Sequence, residues 1–147
     1  MAKVIGLGNA LVDIMTVIDD DKVLENLNLP KGSMQLVDSA LSEKILQQTS
    51  GFKRTMASGG SAANTIRSLA NLGINTGFIG KIGHDEIGDF FASDMKRTGV
   101  IPQLIKSETS SGHAIALVSK DSERTFATYL GAASELNAKD LSSTRFL

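Results

Sequence analysis

Two short stretches carry residues suited to recognition chemistry. Ser58-Gly59-Gly60-Ser61-Ala62-Ala63-Asn64 joins an extended segment to a helical one. Paired glycines let a ligand come close to the backbone, because no Cβ intervenes. The first N–H groups of a helix lack internal acceptors, and they can donate to a hydroxyl or an anionic oxygen. Asn64, in the first turn, adds an amide that both donates and accepts. A hydroxyl also does both, so this mixture suits a polyol better than a bare phosphate. The same glycines would equally serve a tight strand-to-helix turn with no ligand. The second stretch holds Asn9 and Asp13. Asp13 interrupts an apolar run, where a carboxylate must be solvated, paired or held for a ligand. Once ionised it can accept from two neighbouring hydroxyls at once, which is how a vicinal diol is gripped. An edge-strand aspartate facing water gives the same sequence pattern.

Other chemistries find no support. Gly6-Leu7-Gly8-Asn9-Ala10-Leu11 begins like a dinucleotide fingerprint, but Leu11 fills the third glycine position and no helical pattern follows directly. Gly80-Lys81 lacks the earlier glycine of a phosphate-binding loop, since Asn75 stands there, and lacks a following Ser or Thr. No G-x-S-x-G elbow or zinc pattern occurs. Cysteine is absent and His84 and His113 are the only histidines. Disulfides and thiolate metal sites are thereby excluded, and no metal site is expected. A net charge of −1 and the lack of Trp offer neither a field nor a stacking platform for nucleic acid or anionic lipid.

The elements that must hold these residues follow from the apolar pattern. The chain has 147 residues, 41% of them apolar, which suffices for one folded domain. Val4 to Gly8 and Val12 to Ile18 suit buried strands. The first 18 residues are broken by Gly6, Gly8, Asn9 and Asp13. They contain no run long enough for a membrane span or signal core, and a cytoplasmic protein is expected. Asp20 to Leu27 reads as a short helix, and Ser42 to Gln48 as another, with Asp38 or Ser39 as its cap. Ser33 to Val37 and Lys53 to Ala57 are short strand candidates. Ser61 to Leu72 is the clearest helix, closed by Gly73. Thr76 to Ile82 then reads as a strand, and Glu86 to Thr98 as a helix with Ile87, Phe90, Phe91 and Met95 on one face. This alternation argues for α/β layering with parallel strands. His113 to Val118 and Thr125 to Leu130 flank a polar segment in a hairpin pattern. Asn137 would cap a helix beginning at Ala138, and Arg145-Phe146-Leu147 reads as the entry to another buried strand.

Together these pieces resemble the ribokinase or PfkB family of carbohydrate kinases. The matching segments are Gly8-Asn9-Ala10-Leu11-Val12-Asp13, Gly59-Gly60-Ser61-Ala62-Ala63-Asn64, and Gly80-Lys81-Ile82-Gly83-His84-Asp85-Glu86-Ile87-Gly88, and their order and spacing also fit. Gly-Asn-x-Leu-Val-Asp leans toward the adenosine-kinase-like branch. The resemblance implies a ribokinase-like three-layer α/β fold, with a mostly parallel central sheet and a small β-sheet lid. Residues 1–147 would form the N-terminal portion of a single such domain, truncated, with lid strands near 33–37, 53–57 and 113–130. Members transfer the ATP γ-phosphoryl group, with Mg²⁺, to a hydroxyl of a sugar or nucleoside. By the same resemblance, Asp13 and Asn9 would hold substrate hydroxyls, Gly59 and Gly60 would approach the sugar, and Asn64 would bond it. Met34 and Phe126 would line a pocket under the lid, or else belong to plain core. Arg124 would meet a phosphate, or else be a solvated hairpin charge. Gly80, Gly83, Asp85 and Gly88 would be structural, with Asp85 as a helix cap.

Two departures stand out. Ile66 occupies a position where the family favours a small residue, and the late Gly-Ala-Gly-Asp motif that carries the family's catalytic base is missing. The expectation is therefore a kinase parent of which this chain is a part. Alone, the chain would hold no catalytic residue, bind no ATP or Mg²⁺, and self-associate or dissolve poorly through an exposed sheet edge and apolar face. The lid could also join two copies in a homodimer. A non-catalytic sugar- or nucleoside-binding module, or a lid-mediated interaction protein, is the alternative.

Overall fold

The computed structural model describes residues 3–142. In chain order the first elements are β1 (Lys3–Leu7), β2 (Leu11–Val17), α1 (Lys22–Asn26), β3 (Met34–Leu36), α2 (Ser39–Gln48) and β4 (Arg54–Gly59). Then come α3 (Ser61–Asn71), β5 (Asn75–Gly83), α4 (Glu86–Arg97), β6 (Ile101–Ser107), β7 (Gly112–Val118) and β8 (Arg124–Tyr129). A 3₁₀ turn at Gly131–Glu135 leads to α5 (Ala138–Ser142). The chain divides into two units, and each is built by its own logic.

The first unit takes the described residues up to Val12, Ala57–Gly112, and those from Leu130 onward. Its sheet has the order β1-β5-β6 and both pairings are parallel. Parallel neighbours need a crossover, and α4 supplies it between β5 and β6. Phe78 of β5 and Phe91 of α4 are fully buried, with ring centroids 5.5 Å apart. Each such side chain stabilises the fold by roughly 1.5–3 kcal/mol. Helix α3 packs on β1 and β5. There Ile66, the departure noted above, finds its place. A Cβ on Gly6 would collide with the Ile66 side chain, and one on Gly8 would lie 2.9 Å from Ala62 Cβ. The two glycines that imitate a dinucleotide fingerprint thus serve helix packing.

The second unit takes Asp13–Met56 and His113–Tyr129. It holds most of a five-stranded sheet of order β3-β8-β7-β2-β4. The expected hairpin is present as the antiparallel β7–β8 pair, and β3 adds to it in parallel with Met34 opposite Phe126. One face of the sheet carries Ile115, Leu117 and Ala127 into a core with Ile18, Leu24, Leu27, Leu29 and Ile45. Strands alternate, so Met15, Val17, Met34, Leu36 and Phe126 share the opposite face. Asp38, not Ser39, caps α2 by accepting from the Leu41 N–H at 2.8 Å. Ser42 on α2 meets His113 on β7 at 2.6 Å (Oγ to Nε2), both of them buried.

Most expected elements occur, with ends moved by a few residues. Three features differ. Strand β6 has no counterpart in the sequence reading, because Pro102, Gln103 and Lys106 break its apolar pattern; an edge strand tolerates them. The 3₁₀ turn was not anticipated either. The buried face of α4 is Gly88, Phe91, Asp94 and Met95, whereas Ile87 and Phe90 are only half-buried. Asn137 does cap α5, accepting from the Lys139 N–H at 2.9 Å. Arg145-Phe146-Leu147 lies outside the described residues.

Candidate functional site

Strand β4 ends at Gly59, and Gly60 is the N-cap of α3 with φ +95° and ψ 140°. That φ is one that L side chains rarely adopt. Space is also short, since a Cβ on Gly60 would lie 2.6 Å from the Asn9 carbonyl oxygen. The structure therefore brings the Asn9 backbone against the glycine pair, and only glycine satisfies both demands at position 60. The Gly60 carbonyl accepts from the Asn64 N–H at 2.9 Å, which starts the helix. Asn64 is exposed one turn in. Gly60 cannot supply a side-chain cap, so the first N–H groups of α3 have no capping side chain.

Behind the glycines lies a polar network absent from the sequence reading. Asp94 is 4% exposed on α4. Its Oδ2 accepts from Ser58 N at 2.9 Å and Ser58 Oγ at 2.7 Å, and its Oδ1 pairs with Arg97. Burial alone would raise the Asp94 carboxyl. The Ser58 hydroxyl, the Arg97 cation and the Ser58 N–H outweigh burial and lower it to about 2. Arg67, on α3, turns inward and donates from Nη2 to the Ser58 carbonyl, to Ser58 Oγ at 2.8 Å and to Asn64 Oδ1 at 3.3 Å. The sequence signal for this cluster was available, because Asp94 lies three residues after Phe91 on the apolar stripe of its helix.

The β5–α4 turn is structural, as expected. Asp85 caps α4 by accepting from the Gly88 N–H at 2.8 Å, and its other oxygen accepts from the Ser111 N–H at 2.7 Å. Burial raises this carboxyl, but the Ser111 and Gly88 donors hold it below the usual aspartate value. A Cβ on Gly83 would lie 2.5 Å from the Thr109 carbonyl oxygen, and one on Gly88 2.6 Å from Ser111 Oγ.

The remaining candidates belong to the second unit. Asp13 is half-buried on β2, on the face opposite the core. Met34 is 77% exposed, which excludes the plain-core reading for it. Phe126, its register partner, is half-buried, and Arg124 is exposed two residues before it on the same face.

Residues 34–146 match the family of pfkB carbohydrate kinases, which is more than half of the chain. The chain belongs to the PfkB family. Among curated relatives of this PfkB chain, a probable fructokinase-5 of Arabidopsis thaliana is 33% identical over 97 residues, covering 65% of the chain and 29% of the relative. Among solved structures, adenosine kinase from Sinorhizobium meliloti superposes with a TM-score of 0.78 at 34% identity, covering 94% of this chain and 42% of that one. A probable sugar kinase protein from Rhizobium etli CFN 42 gives a TM-score of 0.80 at 34% identity, with the same two coverages. The fold is thus ribokinase-like α/β, as the resemblance implied, and the PfkB chain spans well under half the length of these relatives. Among the described residues no helix is long and apolar enough to cross a membrane.

Proposed function

We propose that this chain forms the acceptor-binding part of an ATP-dependent kinase that phosphorylates a hydroxyl of a sugar or nucleoside. The observation that carries this reading is the start of α3. An uncapped helix N-terminus, a glycine that no other residue can replace and an exposed neutral amide stand together there. Such donors match hydroxyl oxygens. Gly59 and Gly60 would let the acceptor reach the backbone, Asn64 would bond one hydroxyl, and Asn9 would stand beside them. Asp13 would grip hydroxyls as a paired acceptor. Met34, Phe126 and Arg124 would belong to a lid built on β3, β4 and the β7–β8 hairpin, with Arg124 toward phosphate.

The start of α3 does not fit ATP with Mg²⁺. The cation of that helix, Arg67, is turned inward onto Ser58 rather than toward a polyphosphate. ATP with Mg²⁺ would supply the transferable phosphoryl group when bound. Positioning and charge stabilisation dominate such transfer, and this chain's share is the acceptor. The likeness to fructokinases and adenosine kinase makes fructose and adenosine the two probes of choice. Isothermal titration of the 147-residue chain should detect binding of one of them, and Asp13→Ala or Asn64→Ala should weaken it at least tenfold. Heat of binding that survives both substitutions would overturn the site. Phosphoryl transfer from ATP by the isolated chain would overturn its restriction to acceptor binding.

Association through the second unit is a further reading, favoured by Met34 and Leu36, which are 77% and 73% exposed on a sheet face. Adjacent exposed apolar side chains of this kind mark interaction surfaces. If the lid joins two copies, Met34→Thr with Leu36→Thr should leave a monomer in light scattering.

A further inference from the structure

We infer that Asp94, acting through Ser58 and Arg67, is a positioning residue that fixes which end of the Asn64 amide faces a ligand. This rests on the proposed role of Asn64 toward a substrate hydroxyl. An amide side chain has two ends of nearly equal shape, and its neighbours decide which is which. Arg67 decides here. A guanidinium has donors only, so the atom of Asn64 that faces Arg67 Nη2 at 3.3 Å is its oxygen. The Nδ2 N–H pair is left for the exposed side.

Arg67 is itself held in turn. Its Nη2 meets Ser58 Oγ at 2.8 Å and the Ser58 carbonyl. A hydroxyl has one proton and two lone pairs. The Ser58 proton goes to Asp94 Oδ2 at 2.7 Å, which leaves the Ser58 lone pairs to accept from Arg67. An ionised carboxylate accepts only and so turns the Ser58 hydroxyl proton toward itself, while the guanidinium, a donor only, sets the direction of the bonds to Ser58 Oγ and Asn64. An uncharged amide at position 94 would lose this polarity. Its NH₂ end could donate to Ser58 Oγ, turn the hydroxyl proton toward Arg67, and release the guanidinium.

The consequence is a specificity. The ligand atom that meets Asn64 must accept a hydrogen bond, as a hydroxyl or ether oxygen does. An ammonium or N–H donor at that atom is turned away. The same carboxylate also holds the Ser58 N–H, one residue before the glycine pair, so Asp94 fixes the turn and the amide together.

The test uses ¹⁵N-labelled 147-residue chain and the side-chain amide signals of Asn64, assigned by their loss in Asn64→Asp. In Asp94→Asn these signals should shift and lose order, as they should in Arg67→Met, whose side chain has no N–H to donate to Ser58 or Asn64. Unchanged Asn64 signals in a folded Asp94→Asn chain would overturn the inference. If Asp94→Asn does not fold, Arg67→Met decides, and unchanged signals there overturn it. Adenosine and fructose are then titrated separately. A probe that shifts the wild-type Asn64 amide should bind Asp94→Asn at least tenfold more weakly with its chemistry otherwise unaltered. Dependence of the amide on Asp94 with no response to either probe would support the orientation and overturn the substrate role of Asn64.

Discussion

At the scale of single residues, Gly60 and Gly73 separate conformation from space. Both have positive φ, +95° and +81°. A Cβ on Gly73 meets nothing within 4 Å, whereas one on Gly60 meets the Asn9 carbonyl at 2.6 Å. Gly73→Ala should therefore cost about 1 kcal/mol, the backbone strain alone. Gly60→Ala should cost roughly 2–4 kcal/mol, since overpacking adds to strain. Urea unfolding of the two variants checks the difference. Equal losses would show that the turn relaxes around position 60. Asp94 makes a second prediction, in pH. Its carboxyl lies at about 2 against an ordinary 3.8, so the folded state favours the charged form. The stabilisation is complete above 3.8 and is lost as pH falls from there toward 2. It amounts to roughly 2 kcal/mol by linkage. Wild type should lose that much between pH 4 and 2 beyond whatever Asp94→Asn loses, as thermal melts across that range would show. The sequence displayed the glycine pair and Asn64 openly, because a turn is a local matter. It did not display the Asp94–Ser58 bond, which joins residues 36 positions apart.

At the scale of elements, the clearest case is how α2 sits on the second unit's sheet. Ile45 is fully buried in that core, and Ser42 lies one turn before it against His113 of β7. A helix that presents a hydroxyl to a buried imidazole must hold its rotation about its own axis, or both groups lose a partner. Ser42→Ala should cost about 1–3 kcal/mol, the penalty for removing one partner of a buried hydrogen bond. Asp38→Ala should cost about 1 kcal/mol through the lost cap. The sites are a turn apart on one helix and joined by the Ser42 N–H to Asp38 carbonyl bond at 3.0 Å, close enough to couple, so the double variant should depart from the sum. A sum well short of additive in denaturant titration would mean that the cap and the Ser42 contact hold one and the same motion. Helix α2 was readable because its cap, period and length agree. Strand β6 was not, because Pro102 and Lys106 contradict strand propensity and pairing with β5 overrides them. The face of α4 was misjudged for the opposite reason. A polar residue at a core position, Asp94, is passed over by a rule that counts only apolar ones, although its place on the stripe marks it.

At the scale of the whole molecule, each unit presents an apolar sheet surface, and the two make different predictions. In the first unit β1 is an edge strand among the described residues. Ile5, Gly77 and Ile101 stand in register across β1, β5 and β6, and Ile5, Leu7 and Ile101 are exposed. An unpaired parallel edge beside such a surface invites a second chain. In the second unit the exposed apolar residues are Met34, Leu36, Met15, Val17 and Met56. Light scattering of the 147-residue chain over a concentration series should give a mass that rises with concentration. Ile5→Thr with Ile101→Thr keeps β-branched residues in the strands while removing the apolar surface of the first unit. Met34→Thr with Leu36→Thr removes the apolar surface of the second and places β-branched residues in β3. If the first pair alone abolishes the rise, association runs through the parallel sheet and not through the second unit. If the second pair alone abolishes it, the sheet of the second unit is itself the contact. A wild-type mass that stays at one chain throughout would overturn both, and would mean that the Lys3 and Gln103 side chains bordering the Ile5–Ile101 hollow suffice to keep it in water.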